Sequence, residues 1–168
     1  DFITCLDDDD TWSPEFLRAL VEFHAETAAL VPDLGGVMCR LTAIREEVVE
    51  QESGSTIITL GEDDLPNAFK RSDFFINPIA YACYRQDVYP VQWMLNRGAA
   101  MAAGGFPAEF NVMEDRAFMT RFLQHWRLAV LDKPLAFHHR RISRREDRAR
   151  RVEMNTIDNP SYDWRLFA

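Results

Sequence analysis

Hydrophobic and polar positions along the chain follow two periods, one typical of strands and one typical of helices. Residues 2–6 form a short apolar run that ends at acidic side chains, as a buried strand does at the edge of a sheet. Ser13 and Pro14 favour a helix start, and apolar residues then recur at helical spacing through residue 30. Further strand patterns lie at 37–44, 56–60, 91–97, 128–131 and 135–137, and a second long helix pattern lies at 114–126. This alternation predicts an α/β fold, with a mixed sheet flanked by helices.

Two segments predict breaks between strands. Residues 45–55 are polar and predict a loop or a hairpin tip. Lys133-Pro134 predicts a turn between the last two strand patterns. The chain of 168 residues has the length of one domain with a core of its own.

The first residue, Asp1, runs directly into the apolar pattern at 2–6. Natural chains seldom start inside a core strand, so we expect the chain to be a fragment whose N-terminal half is missing. The opening strand should then have an unpaired edge, and such an edge invites pairing with another chain. We therefore expect either a homo-oligomer or a preceding segment that covers this edge.

Composition and charge narrow the classes of function. The chain has 19 basic and 27 acidic residues and a net charge of −8, so it lacks the broad basic face that nucleic-acid binding requires. No apolar run is long enough for a transmembrane segment, and no signal peptide is recognisable. Cys5 and Cys39 lie in apolar strand patterns and predict buried free thiols in a reducing compartment. We therefore expect a cytoplasmic protein.

Arginines concentrate near the C-terminus, with seven between Arg140 and Arg151. Because arginine binds phosphate through two parallel hydrogen bonds, this stretch could fold over a diphosphate, with Arg140 at its start. A solvent-exposed amphipathic helix, or peripheral contact with anionic lipid at the inner face of the membrane or with another subunit, is an equal alternative. We treat residues 142–168 as a separate arginine-rich segment.

Four consecutive aspartates, Asp7–Asp10, follow the first strand pattern. Ligands of α/β proteins bind at the carboxyl ends of strands, and adjacent carboxylates repel one another unless a cation compensates. Mg²⁺ or Mn²⁺ commonly binds one or two carboxylates and completes its octahedron with phosphates and water. Alternation along an extended chain would place Asp7 and Asp9 on one face. The alternative is a solvated turn whose acids lie near the positive N-terminal end of the next helix.

A phosphatase is a distant alternative. Asp7-x-Asp9 after an apolar strand is similar to the opening motif of haloacid-dehalogenase-type phosphatases, in which Asp7 would be the nucleophile and Asp9 the acid/base. That chemistry also requires a lysine followed by a later acidic pair. Both lysines of this chain follow its best later acidic pair, Asp63-Asp64, so the order disfavours this interpretation.

Four motifs occur together in a fixed order, with Arg97 before the second of them. They are Leu6–Pro14, Gly104-Gly105-Phe106, Glu114-Asp115 at a helix start, and Leu131-Asp132-Lys133-Pro134-Leu135. Together they resemble glycosyltransferase family 2, whose members have the GT-A fold and use nucleotide sugars. The resemblance covers residues 1–141, more loosely across 37–90, and it lacks the N-terminal half that holds most of the nucleoside pocket.

The resemblance implies roles for the acidic residues. Asp9 would bind the metal directly, and Asp7 would contact the ribose or a metal-bound water. Asp115 would be the catalytic base that removes the acceptor proton, with Glu114 as the second candidate. Without the other motifs, Glu114-Asp115 would be interpreted as helix capping.

The resemblance also implies roles for residues that bind the donor. Arg97 and Arg140 would contact it, and Gly104 and Gly105 would let the backbone approach the sugar closely, although a plain tight turn explains both glycines as well. His138 would be a further metal ligand or a diphosphate contact. The family's Arg-x-His is altered here to His138-His139-Arg140-Arg141, so the two histidines are not distinguished, and a structural role is the commoner one.

The function that this resemblance implies is metal-dependent glycosyl transfer. The donor would be a nucleoside-diphosphate sugar, and the acceptor a hydroxyl group of a glycan, a lipid or a small molecule. A single base with no evident second nucleophile implies inversion at the anomeric carbon. The alternative is a non-catalytic fragment or a module that binds the sugar or the acceptor without turnover.

Overall fold

The computed structural model describes residues 1–51, 54–64, 74–110 and 113–142. Its strands are β1 (Phe2–Thr4), β2 (Thr11–Trp12), β3 (Leu34–Gln51), β4 (Gly54–Asp64), β5 (Trp93–Asn96) and β6 (Arg127–Ile142). Its helices are α1 (Phe16–Ala28), α2 (Pro78–Ala82), α3 (Arg97–Ala102) and α4 (Glu114–Phe122), with a 3₁₀ turn at Pro90–Gln92. The protein is therefore a mixed α/β protein, as the alternation of patterns predicts.

The chain divides into two compact units. The first, which we term the sheet unit, comprises Asp1–Thr42 and Asp64–His138. The second, the hairpin unit, comprises Ala43–Asp63 and the chain from His139 onward, of which residues 139–142 are described. The predicted arginine-rich segment therefore lies outside the described residues from position 143.

The sheet unit has the strand order β1-β5-β3-β6-β2. β5 runs antiparallel to both of its neighbours, β1 and β3, and β2 runs antiparallel to β6. Contacts between β3 and β6 advance in the same direction: the N–H of Arg127 donates to the carbonyl of Asp33 over 2.9 Å, and Arg40 pairs with Asp132. β1, β3 and β6 thus run parallel, and their ends define one carboxyl edge of this unit.

Both faces of the sheet unit are covered. Because successive side chains of a strand point to opposite faces, Val37 and Cys39 pack with Phe16 and Leu20 of α1, while Met38 between them packs on the other side. The second face is covered by residues of α3 and α4, namely Ala99, Ala100, Phe118, Met119 and Phe122. Strands buried on both faces are expected to be continuously apolar, as 37–39 is.

The hairpin unit is built on β4, which pairs with β3. Ile57, Ile58 and Leu60 of β4 are exposed. His139 Nδ1 lies 2.7 Å from Glu46 Oε1, and both side chains are mostly buried. Residues 45–51 and 54–55 are strand, so the loop alternative for 45–55 was wrong at these positions. The hairpin alternative agrees with the pairing of β3 and β4, and its tip at 52–53 lies outside the described residues. Cross-strand pairing stabilises this polar segment where its own pattern does not.

Other boundaries also differ from the predictions. β1 covers only 2–4 of the apolar run at 2–6, and the prediction of a buried strand there was wrong because Phe2 and Leu6 are exposed. β6 is continuous across Lys133-Pro134, where a turn was predicted. Proline has no N–H to donate, but β2 pairs with β6 only at 136–137, so Pro134 interrupts no hydrogen bond of that pair. α1 begins at Phe16 instead of at Pro14. The preceding residues form a turn, in which the Ser13 hydroxyl accepts a hydrogen bond from the N–H of Glu15. α4 ends at Phe122 rather than at residue 126.

All three cysteines are free. Cys39 is fully buried, and burial raises the pKa of its thiol to about 12. Cys5 is only partly buried against the core, so the prediction of a buried thiol is correct for Cys39 and incomplete for Cys5. Within the described ranges, the helices are too short or too polar to cross a membrane.

Candidate functional site

The four aspartates form a turn directly after β1, at the carboxyl edge of the sheet unit. We term Asp7–Asp10 the aspartate turn; the N–H of Asp10 donates to the carbonyl of Asp7 over 3.2 Å. Burial raises the pKa of Asp7, and the negative charges of Asp10 and Asp9 raise it further. His138 opposes this shift, which places its ring within electrostatic reach of Asp7. The aspartates are therefore a mutually repelling group rather than isolated surface charges.

One partner of the aspartate turn is His138. Its Nδ1 lies 2.9 Å from Asp10 Oδ1, and the Asp10 side chain is only 2% exposed. A carboxylate oxygen only accepts hydrogen bonds, so Nδ1 must carry the proton, and in the neutral ring the lone pair then lies on Nε2. The ring of Tyr89 stacks on the imidazole with the centroids 5.5 Å apart. This arrangement fixes both the tautomer and the orientation of the ring.

The structure separates the two histidines that the sequence leaves undistinguished. His138 belongs to the sheet unit and to the aspartate turn, whereas His139 belongs to the hairpin unit and pairs with Glu46. Neighbouring residues of a strand point to opposite faces, which accounts for their different partners. Sequence reasoning missed Asp10 and Tyr89 as residues of this site. The repeated acid could have indicated Asp10, but no pattern indicated Tyr89.

The donor set of the aspartate turn suits a hard divalent cation only in part. Across the part of the chain that the structure describes, no three His, Cys, Asp or Glu side chains are arranged to hold a metal ion by themselves. The pKa of Asp7 is raised first by burial and then by the charges of Asp10 and Asp9, and a cation would relieve the repulsion between these carboxylates. Mg²⁺ commonly retains several non-protein ligands, so two carboxylates with phosphate oxygens remain a chemically suitable set.

The second acidic pair opens α4. Met113, in a left-handed conformation with φ 60°, precedes Glu114 and Asp115. Asp115 Oδ1 accepts a hydrogen bond from the N–H of Arg116 over 2.7 Å, as the capping alternative expects. Burial raises the pKa of Asp115, and the charge of Glu114 raises it further. A carboxylate with a raised proton affinity is also what a general base requires, so capping and catalysis are compatible here.

α4 packs beside the strand that pairs with β1. The ring centroids of Phe118 and Trp93 lie 6.4 Å apart, and the Trp93 carbonyl accepts a hydrogen bond from Thr4 Oγ1 over 2.7 Å. α4 leads into β6, which starts opposite the carboxyl edge, so the first turn of α4 points towards that edge. The topology thus directs Asp115 and the aspartate turn to the same side of the sheet unit. That their carboxylates face one cleft stays a prediction.

Gly104 and Gly105 form a tight turn beside α4. Their φ angles of 88° and 63° lie in the left-handed region, which glycine adopts without strain. Arg121 Nη2 of α4 donates to the carbonyl of Gly105 over 2.7 Å, and the ring of Phe106 packs on Phe118. A Cβ added to Gly105 would meet nothing within 4 Å, so that side of the turn is open. The turn therefore has room beside it, and close approach to a sugar stays a prediction.

The two arginines predicted at the donor site belong to different units. Arg97 starts α3 instead of ending a strand, and its N–H donates to the carbonyl of Asp1 over 3.1 Å. It therefore lies where β1 begins, whereas the aspartate turn follows the end of β1. Arg140 is exposed and belongs to the hairpin unit. The structure does not bring Arg97 together with the aspartate turn, and the contact of Arg140 with the donor stays a prediction.

Comparison with known proteins adds no family to these observations. Neither a model of a known protein family nor a curated protein matches the chain.

Proposed function

We propose that this chain is part of a glycosyltransferase that transfers a sugar from a nucleoside-diphosphate donor to a hydroxyl acceptor. The observation that supports it best is the position of the aspartate turn and His138 at the carboxyl edge. The first turn of α4, which carries Asp115, points towards the same edge. The ordered motifs that resemble glycosyltransferase family 2 supply the sugar chemistry. On this proposal the sheet unit is part of a GT-A fold.

The aspartate turn would hold the donor diphosphate through Mg²⁺ or Mn²⁺. Asp9 would bind the cation directly, Asp7 would contact the ribose or a metal-bound water, and His138 would offer Nε2. Asp10 would keep that nitrogen available, because it holds the proton on Nδ1. The cation would neutralise charge on the leaving diphosphate.

Asp115 would act as the base. It takes the proton of the acceptor hydroxyl as that oxygen bonds to the anomeric carbon and the bond from this carbon to the diphosphate oxygen breaks. The raised pKa of Asp115 brings its proton affinity closer to what this transfer requires. A single base acting on the acceptor corresponds to a single displacement with inversion, as the resemblance implies. Glu114 is the second candidate for the base.

Calorimetric titration with UDP and with GDP, each with and without Mn²⁺, tests this proposal. We expect at least one nucleotide to bind at least tenfold more tightly with Mn²⁺, because the diphosphate supplies ligands that the protein lacks. The same titration on Asp8→Asn provides the control for the loss of one charge from the turn. No binding of either nucleotide, or binding that ignores Mn²⁺, would contradict the proposal. Mn²⁺-dependent binding of nucleotide sugars without transfer to any acceptor would favour a binding module instead.

A further inference from the structure

The end of α2 has an unusual residue at a position that normally requires glycine. The N–H of Arg85 donates to the carbonyl of Ala80 over 2.8 Å, and the N–H of Tyr84 donates to the carbonyl of Tyr81 over 3.1 Å. These two bonds form a Schellman motif, in which the residue after the C-cap is left-handed and is usually glycine. Here that residue is Tyr84, with φ 56°.

A tyrosine in this conformation carries a cost. For a residue with a Cβ the left-handed region is less favourable than the right-handed one, because the Cβ then lies close to the following carbonyl oxygen. Burial of the ring does little to offset this, because Tyr84 remains 60% exposed. What the conformation provides is a position for the ring: the guanidinium carbon of Arg116 lies 3.7 Å from its centroid. Strain of this kind persists where surrounding contacts impose it, often near functional sites.

Arg116 is held on several sides at once. Its side chain is 11% exposed, and Nη1 lies 3.0 Å from Asp87 Oδ1 in an ion pair. Nη2 donates to the carbonyl of Tyr81, whose ring lies 4.4 Å from the guanidinium carbon. The Tyr84 ring adds another contact. The guanidinium is therefore fixed in position and direction by α2 and the loop that follows it.

The fixed guanidinium belongs to the first turn of α4. The N-cap of this helix, Met113, makes no side-chain cap bond, so the usual means of holding a first turn is absent from it. The N–H of Arg116 donates to Asp115 Oδ1, and the N–H of Ala117 donates to the carbonyl of Met113 over 2.9 Å. Whatever holds Arg116 consequently holds the backbone that carries Asp115.

We propose that Tyr84 and Arg116 form a clamp that positions the carboxylate of Asp115. Both are positioning residues: Tyr84 stacks on Arg116, Arg116 fixes the first turn of α4, and that turn orients Asp115. The catalytic consequence rests on the proposed function, whereas the clamp itself is a property of the fold.

Tyr84→Gly separates positioning from stability. Glycine relieves the left-handed strain and removes the ring, so we expect an unchanged or higher melting temperature together with at least tenfold faster amide exchange at Arg116 and Ala117. Tyr84→Phe keeps the ring and should match the parent, while Tyr84→Asn, which tolerates this conformation without a ring, should behave as glycine does. Unchanged exchange in α4 for both ringless variants would overturn the clamp, as would equal acceleration in Tyr84→Phe.

The catalytic consequence has its own measurement. In an active preparation, Tyr84→Gly should lower kcat about tenfold or more with the donor Kd unchanged, because a misplaced base slows the reaction without affecting donor affinity. Tyr84→Phe should restore kcat. An unchanged kcat alongside faster exchange would refute the positioning of the base. If the parent transfers no sugar, the proposed function fails, and the exchange experiment still decides the clamp.

Discussion

The two acidic groups of the sheet unit have opposite surroundings. The aspartate turn places its carboxylates against one another, and Asp10 contacts a histidine that is only partly exposed. The pair Glu114-Asp115 instead opens a helix, beside an arginine that is fixed by two tyrosines and an aspartate. In both groups burial is the first cause of a raised carboxyl pKa.

The difference suggests two kinds of chemistry. Repulsion within the aspartate turn is relieved by any added positive charge, so this group is suited to receive a cation together with an anionic ligand. Repulsion is a smaller factor at Asp115, where burial dominates and Arg116 opposes it. A single carboxyl with raised proton affinity and a fixed orientation is suited to take up a proton. A substitution that removes one negative charge from the aspartate turn should therefore affect a different measured quantity from one that removes a charge from Glu114-Asp115.

The largest effect should follow Asp115→Asn. The variant removes the proton acceptor and keeps a side-chain oxygen for the N–H of Arg116, so sugar transfer should fall about 10²–10⁴-fold with donor affinity nearly unchanged. Initial rates and nucleotide titration measure the two quantities separately. Glu114→Gln is the matched control. If it abolishes transfer while Asp115→Asn remains active, the base assignment is wrong.

Asp9→Asn should affect binding instead of the chemical step. We expect the Mn²⁺-dependent part of nucleotide affinity to fall about 10–100-fold, in line with changes around metal ligands. Titration with and without Mn²⁺ isolates this part. Asp8→Asn carries the same change of charge on the neighbouring residue and should have a much smaller effect. Equal losses of nucleotide affinity in both variants would mean that the aspartate turn acts only through its total negative charge.

His138→Gln tests whether the Asp10 contact stabilises the fold. Glutamine cannot reproduce the imidazole geometry or its stacking on Tyr89, so the buried Asp10 carboxylate loses this partner. We expect the free energy of unfolding to fall by about 1–3 kcal/mol, measured by urea denaturation. His125→Gln, at an exposed position in the turn after α4, is the control. No loss of stability would show that the Asp10–His138 contact is energetically neutral.

The smallest effect concerns pH. The pKa of Asp115 is raised in the folded state, so the folded protein binds this proton more tightly than the unfolded chain. This contribution is complete below the unfolded pKa and is lost as pH rises through the folded one. Relative to Asp115→Asn, the parent should therefore lose stability with rising pH, by no more than about 3 °C in melting temperature. A difference that is constant across pH 3–8 would contradict the raised pKa.

The sequence predicts this fold best where the patterns are local. Val37 to Cys39 are apolar and buried, and they lie within β3 as predicted. The apolar run at 2–6 predicts a buried strand, but only 2–4 are strand, and Phe2 and Leu6 are exposed. The polar segment 45–51 is strand because β4 pairs with it, and pairing between distant residues has no signal in a local window. The continuous β6 across Pro134 depends in the same way on where β2 ends.

The candidate site shows the same limit. The aspartate run after the first strand indicated Asp7 and Asp9 as residues for chemistry, and the resemblance to glycosyltransferase family 2 indicated Asp115. The roles of all three remain predictions. The sequence could not indicate which histidine contacts Asp10, since that depends on the face of β6 that each side chain occupies. Nor could it place Arg97, which the antiparallel direction of β5 carries away from the aspartate turn.

The contact between Asp10 and His138 also bears on the order of folding. It joins residues 128 positions apart, and the bond between Thr4 and Trp93 spans 89. Closing a loop of this length lowers the conformational entropy of the chain before any contact stabilises the loop, so such contacts form slowly. During synthesis, a ribosome must make β6 before the aspartates can meet their histidine. Until then the nascent chain carries an acidic cluster without that partner, which a divalent cation or a chaperone could reach first.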